Sequence, residues 1–224
     1  MTSKKLVIVG DSGFAQIARE YFDTDSEYTV VAHTVESQFL ERREFDGLPV
    51  VPFEEVQDHF PPDDHGFHVA LTYGQLNRVR ARLIDEAKSK GYAPVSYVSS
   101  KAFCGRTVQL GEHVFIFEDN TIQPFVTIGK NTVLWSGNHI GHHSHIGENC
   151  FVSSHVVISG FCNIGANTFL GVNATLADGV SVAEDNWIGP SVTLSKSTEA
   201  GQLYNVEPPA ASRVSTYRFF KIKN

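Results

Sequence analysis

The chain has 224 residues, a net charge of −7 from 25 acidic against 18 basic side chains, and 42% hydrophobic residues. That length can hold two domains with real cores, and the acidic balance without a dense Lys/Arg stripe excludes the usual nucleic-acid binder. No run approaches a membrane span, and Met1-Thr2-Ser3-Lys4-Lys5 leads into an apolar stretch too short for a signal peptide, so a cytoplasmic protein is expected.

Residues 1–95 alternate apolar runs with helical spacing. Leu6-Val7-Ile8-Val9 predicts a strand, Gly10-Asp11-Ser12-Gly13 a turn, and Phe14 to Tyr21 a helix. Tyr28 to Val31 and Leu48 to Val51 predict two more strands, with a helix near residues 53–59. His68 to Leu71 reads as a fourth strand, and Leu76 to Lys90 as an amphipathic helix with Val79, Leu83 and Ala87 on one stripe. This alternation implies an α/β domain with a parallel sheet. The glycine turn after the first strand can set backbone N–H groups and a helix N-terminus against phosphate. Gly-x-x-Gly falls short of the full dinucleotide fingerprint, and a tight turn that binds nothing fits it equally well.

From Val98 to Leu194 the rhythm changes. Every sixth residue, from Val98, Cys104 and Leu110 through Ile188 to Leu194, is aliphatic or Cys, with none inserted or skipped. Glycine often follows it, and the position two before it is mostly small. A period of six fits neither helix nor plain strand; it is the signature of a β-helix of hexapeptide repeats, in which each hexad is a short strand plus a turn. With three hexads to a triangular coil, residues 18 apart stack about 4.8 Å from one another. The three cysteines, Cys104, Cys150 and Cys162, fall on inward positions and read as reduced packing residues.

Five histidines crowd one segment: His139, His142, His143, His145 and His155. For His145, last in its hexad, a solvated outward position is the expectation; for His139 that reading and a functional one weigh alike. A zinc site is a minority reading, because no pair has helical i, i+4 spacing and adjacent histidines seldom share an ion. A general base is the third reading, since an imidazole takes a proton from an attacking amine or hydroxyl near neutral pH.

The segment Ile140-x-His142-His143-Ser144-x-Ile146-Gly147 resembles the catalytic segment of the hexapeptide acyltransferases. The whole chain resembles the sugar acetyltransferases of the sialic-acid O-acetyltransferase and bacillosamine-pathway N-acetyltransferase type. That resemblance implies a Rossmann-like nucleotide-sugar-binding domain (1–95), a left-handed parallel β-helix (96–197) and a C-terminal tail (198–224). It implies a homotrimer with active sites at the subunit interfaces, acetyl-CoA as co-substrate and no metal. His142 falls on the family's general base, and Gly160 on the residue whose N–H meets the thioester carbonyl. The spacing supports this pairing, because His142 and Gly160 are one coil apart. The carboxylate that usually follows the base is replaced by His143, so His143 belongs to the catalytic set, with His155 and Asn138 as possible assistants. Gly10, Ser12, Gly13, Phe14 and His33 are the expected nucleotide-sugar contacts. Acidic residues usual at the end of the second strand in uridine-nucleotide binders are absent from Ala32-His33-Thr34, so uridine, thymidine and guanosine all stay open. The expected activity is N-acetylation of a nucleotide-linked amino (dideoxy) sugar by direct attack. Sugar O-acetylation is the alternative, and a metal-dependent or non-catalytic β-helix protein is a more distant one.

In the tail, Tyr204 to Ala210 resembles the family's segment beside the CoA adenine. Arg213 and Lys221 are candidates for CoA phosphates, although a packed tail is the simpler reading, and Phe219-Phe220 is expected to cover the open end of the β-helix.

Overall fold

A computed structural model describes residues 3–223. The N-terminal part forms β1 (Lys4–Val9), α1 (Gly13–Asp25), β2 (Tyr28–Val35), β3 (Glu44–Phe45), β4 (Leu48–Pro52), α2 (Val56–His59), β5 (His65–Val69), α3 (Arg78–Ser89) and β6 (Ala93–Pro94). The sheet order is β3-β4-β2-β1-β5-β6, parallel except for the β3–β4 pair. Strand β1 is central, and Leu6 to Val9 are at most 2% exposed, as an unbroken apolar run requires. Leu6 and Ile8 face Phe14, Ala15, Ala18 and Phe22 of α1; Val7 and Val9 pack with Leu83, Ile84 and Ala87 of α3. With β2 on one side of β1 and β5 on the other, the strand order reverses at β1. The loops after β1 and β5 therefore border a crevice at the C-terminal edge of the sheet.

Strand β2 and helix α1 run four residues further than the sequence reading, and two other boundaries differ for a visible reason. The fourth strand lies three residues early, because its pairing with β1 runs from Lys5↔His65 to Val9↔Val69. Helix α3 begins at Arg78, because Gln75, Leu76 and Asn77 all have positive φ (49°, 51° and 68°).

From Tyr97–Val98 to Thr193–Leu194 the chain runs through successive two-residue strands, each paired in parallel with the strand 18 residues on, as in Ile122↔Ile140↔Ile158. They stack into three sheets of a parallel β-helix. The inward residues from Ile116 to Leu194 are at most 8% exposed. Cys150 and Cys162 are buried and unpaired, and burial pushes the Cys150 thiol up to about 12, in keeping with a packing role. Every turn from residue 113 to 191 places the residue three after the inward aliphatic at φ 55–76°. Asn, Asp and Gly, which tolerate this left-handed conformation, hold most of these corners.

The three outer faces differ. One carries Tyr97, Phe115, Val133, Phe151, Phe169 and Trp187, and Phe169 and Trp187 stack at 3.9 Å. This aromatic face is covered by the N-terminal domain, whose Phe14, Tyr21 and Phe22 rings lie 5.6, 6.3 and 5.7 Å from Phe115. A second face presents Thr121, His139, Val157 and Thr175; the third presents Gln109, Thr127, His145, Asn163 and Ser181. His145 is exposed there, with Nδ1 2.6 Å from Thr127 Oγ1. At the tail the structure corrects an expectation. Phe219 and Phe220 are 71% and 68% exposed and touch each other across α4 (Thr216–Phe219), so they cover no end of their own β-helix.

A buried polar seam joins the two parts. The rings of His68 and His113 stack at 4.3 Å. His113 Nε2 accepts the Val69 N–H (2.8 Å), so its proton sits on Nδ1 and is donated to Asn131 Oδ1 (2.8 Å). His68 Nδ1 donates to Val95 O (2.9 Å). Burial pushes His68 down to about 4 and His113 well below the ordinary imidazole range. Both stay neutral in the folded chain, whereas unfolded imidazoles protonate below about 6.5. As pH falls from 6.5 toward 4 the unfolded state binds more protons, so stability declines by up to about 1.4 kcal/mol per pH unit for each ring. Urea midpoints are expected to drop through that window, and His68→Asn should flatten the slope. A slope identical in wild type and variant would contradict the assignment.

Candidate active site

His142 lies in the turn 141–144, which joins the strands His139–Ile140 and His145–Ile146. Gly141 makes the turn possible, since a Cβ there would fall 2.5 Å from Gly160 N on the next coil. The His142 N–H donates to Gln123 Oε1 (2.9 Å). His143 occupies the left-handed corner (φ 58°), sandwiched between Phe125 (4.7 Å) and Phe161 (5.0 Å), one coil before and one after. The His142 ring stands edge-on to Phe161 at 5.1 Å, and its Nδ1 is 3.1 Å from His143 Nδ1, so one ring donates to the other.

Gly160 supplies the floor. A methyl group built on it would lie 2.9 Å from Cε1 and 3.2 Å from Nε2 of His142. The ring therefore rests over Gly160, whose own N–H donates to no group among the described residues. If His142 donates through Nδ1 to His143, its Nε2 is left as a proton acceptor on the Gly160 side of the ring. A proton acceptor next to an oxyanion donor is the minimum for acyl transfer.

The surrounding corner breaks the local rule. Phe125 (φ 67°) and Phe161 (φ 57°) are bulky residues in a conformation that Asn and Gly fill at neighbouring turns, at a cost on the order of 1 kcal/mol each. Such strain clusters where side chains serve something other than stability.

The other expected residues separate. Asn138 is 1% exposed; its amide donates to Trp135 O and its Oδ1 accepts the Val156 N–H, so it braces the coil and is not free to assist His142. His155 lies at a different corner, its Nδ1 2.6 Å from where a Gly137 Cβ would be, and does not reach His142 within one chain. Asp178, which the sequence reading passed over, points its Oδ1 to within 3.0 Å of the same point above Gly160 that His142 approaches. Simple addition of one coil to Gly160 finds it.

At the crevice, Gly10 (φ 118°) needs its glycine, while Gly13 has open space around a Cβ. Ser12 is the N-cap of α1 and makes no side-chain cap, leaving the Gly13, Phe14 and Ala15 N–H groups without acceptors among the described residues. Asp11 pairs with Arg42 (3.1 Å), which lies over the Phe45 ring. Two expected contacts have their side chains turned away from the crevice, although the Phe14 N–H stays at the loop. Phe14 is 4% exposed and packs on Phe115 and Trp135, and His33 is fully buried, donating from Nδ1 to Gly10 O (3.0 Å). Burial lowers the His33 imidazole below its ordinary range, so it is a neutral prop beneath the loop. The loop after β5 brings Tyr73, 41% exposed, onto Phe169 (4.7 Å) and Trp187 (5.6 Å). Nothing in the linear pattern marks Tyr73.

The corner bearing His142 lies opposite the aromatic face that the N-terminal domain covers. In one chain the Gly10 loop and His142 therefore stand on different sides of the β-helix. Among the described residues, no group of three or more His, Cys, Asp or Glu side chains is placed to hold a metal ion, and no helix is long and apolar enough to cross a membrane.

Residues 125–160 match the family described as bacterial transferase hexapeptide (six repeats). No curated protein matches the chain. Among solved structures, the chain is similar to a mutant of perosamine N-acetyltransferase from Caulobacter crescentus in complex with CoA and GDP-perosamine: 23% identity, TM-score 0.78, covering 89% of this chain and 90% of that one. It is also similar to the acetyltransferase domain of PglB from Neisseria gonorrhoeae (16% identity, TM-score 0.63, 90% and 96% covered). WeeI from Acinetobacter baumannii aligns at 18% identity and TM-score 0.61, covering 86% and 95%. At these identities the likeness shows a shared fold.

Proposed function

We propose that the chain is an acetyl-CoA-dependent N-acetyltransferase acting on the amino group of a nucleotide-linked amino sugar. The observation that carries this reading is the His142 ring lying over Gly160, whose N–H donates to no group among the described residues. The fold shared with the perosamine enzyme, which was solved with CoA and GDP-perosamine, supports the substrate class. The sugar amine attacks the thioester carbonyl, forming the C–N bond while negative charge collects on the oxygen beside the Gly160 N–H. His142 Nε2 takes the amine proton, the C–S bond breaks, and the departing CoA thiolate receives that proton back from His142.

The reading includes a left-handed winding, a Rossmann-like domain over residues 1–95 and a β-helix over 96–197. The tail, 198–224, would follow the CoA adenine. It also includes a homotrimer. One corner of a β-helix cannot enclose a pantetheine arm, and the Gly10 loop is on the wrong side of its own chain to present a sugar to His142. The loop of one copy would serve the His142 of another.

Purified protein should release CoA thiol from acetyl-CoA only when a nucleotide amino sugar is present, and a screen should begin with GDP-linked amino sugars before thymidine and uridine nucleotides. Light scattering should give a trimer, and EDTA should leave the rate unchanged. A monomer with full turnover, or activity lost to chelator and restored by zinc, would overturn the corresponding part.

A further inference from the structure

Positive charge that builds on His142 as it takes a proton meets no carboxylate among its immediate neighbours, His143, Gln123, Phe125 and Phe161. One carboxylate stands a coil beyond Gly160. Asp178 follows Gly160 by the spacing of stacked residues, and the Gly179 N–H donates to Gly160 O (2.9 Å), fixing the two turns together. A methyl built on Gly160 would lie 3.2 Å from His142 Nε2 and 3.0 Å from Asp178 Oδ1. The imidazole and the carboxylate thus converge from opposite sides on the space that the missing side chain leaves. Their polar atoms are no more than about 6 Å apart, a separation at which a unit charge is felt strongly once water is excluded.

We propose that Asp178 is a positioning residue for the reaction: its carboxylate, acting across the gap above Gly160, supports the positive charge that His142 acquires. It would supply from the Nε2 side the negative charge that a triad carboxylate supplies through the far nitrogen. The arrangement also explains the glycine, because any side chain at 160 would separate the two groups. The remaining titratable groups nearby are few. His143 is bonded to His142 Nδ1, and the Cys162 thiol lies buried beside Asp178 with its ionisation suppressed by burial; in the same corner column Arg106 stands two coils before His142 and Lys196 one coil beyond Asp178.

The inference rests on the acyltransferase reading, but its test does not. The ring resonances of His142 are followed by NMR against pH in the intact protein, in wild type and in Asp178→Asn. The titration midpoint of His142 should move to lower pH in the variant, by about half a unit or more. In kinetics, the acid limb of the kcat/KM profile should move the same way and kcat should fall about 3–30-fold, with the KM for acetyl-CoA unchanged. Asp178→Glu should restore part of both effects. Superimposable His142 titrations in wild type and Asp178→Asn overturn the proposal, whatever the activity. A shifted titration in a protein whose His142→Ala variant keeps full activity supports the Asp178–His142 coupling and sinks the general-base reading alone.

Discussion

His142→Ala is expected to lower kcat by about 10²–10⁴, the usual contribution of a positioned general base, while the KM for acetyl-CoA stays near wild type. The ring is exposed on a corner, and its removal leaves the inward Ile140 and Ile146, both 0% exposed, untouched. Fold and assembly should therefore survive, which circular dichroism and light scattering check. The deficit should shrink as pH rises, because a larger share of the sugar amine is then neutral before attack. His143→Ala should cost about tenfold or less. It removes the Nδ1 partner that fixes the His142 tautomer and the slab between Phe125 and Phe161, but not the proton acceptor. The opposite ranking, with His143→Ala dead and His142→Ala active, would reassign the base.

The largest loss of stability is expected at Arg80. Its guanidinium is 0% exposed and, among the described residues, pairs with no carboxylate; it donates instead to Leu71 O, Thr72 O, Asn77 Oδ1, Asn131 Oδ1, Asn131 O and Cys150 O at 3.0–3.3 Å. Burial pushes it down to about 10, so it keeps its charge at neutral pH. One side chain thus ties the strained loop before α3 to two coils of the β-helix. Arg80→Met keeps most of the volume but strands those acceptors. The expected cost is about 3–5 kcal/mol, or a fall in Tm on the order of 10 °C for a chain of this size. Arg80→Lys should recover little, since an ammonium cannot span the same fork of acceptors. A Tm within a degree or two of wild type in Arg80→Met would show that the seam carries no stability.

The β-helix was legible because its period is strict. One inward residue in six, repeated from Val98 to Leu194, fixes strand, turn and stacking distance together, and the observed pairing Ile122↔Ile140↔Ile158 follows by addition. The N-terminal strands were legible as elements, but their ends were set by partners that a linear pattern does not show; β5 moved because β1 pairs it from His65. Within the candidate site, stacking arithmetic united His142 and Gly160. The same addition from Gly160 reaches Asp178, which carries no motif of its own. The side chains of Phe14, His33 and Asn138 are buried for a common reason. Each follows or flanks a motif residue in sequence, while its side chain turns into the interior: Phe14 toward the aromatic face, His33 under the Gly10 carbonyl, Asn138 into the turn below Val156. Arg80 gave no signal at all, since a basic residue in an amphipathic helix ordinarily faces water.

The absence of any insertion between Val98 and Leu194 makes the β-helix a ruler. Duplicating one full coil between Tyr97, which is docked to the N-terminal domain, and His142 would slide the imidazole about 4.8 Å along the axis without turning it. Duplicating a single hexad would instead carry it round to a different edge of the triangle. Reach toward a longer or shorter donor can therefore change only in whole-coil steps, and the separation between the domain that would hold the sugar and the corner that would modify it is quantised.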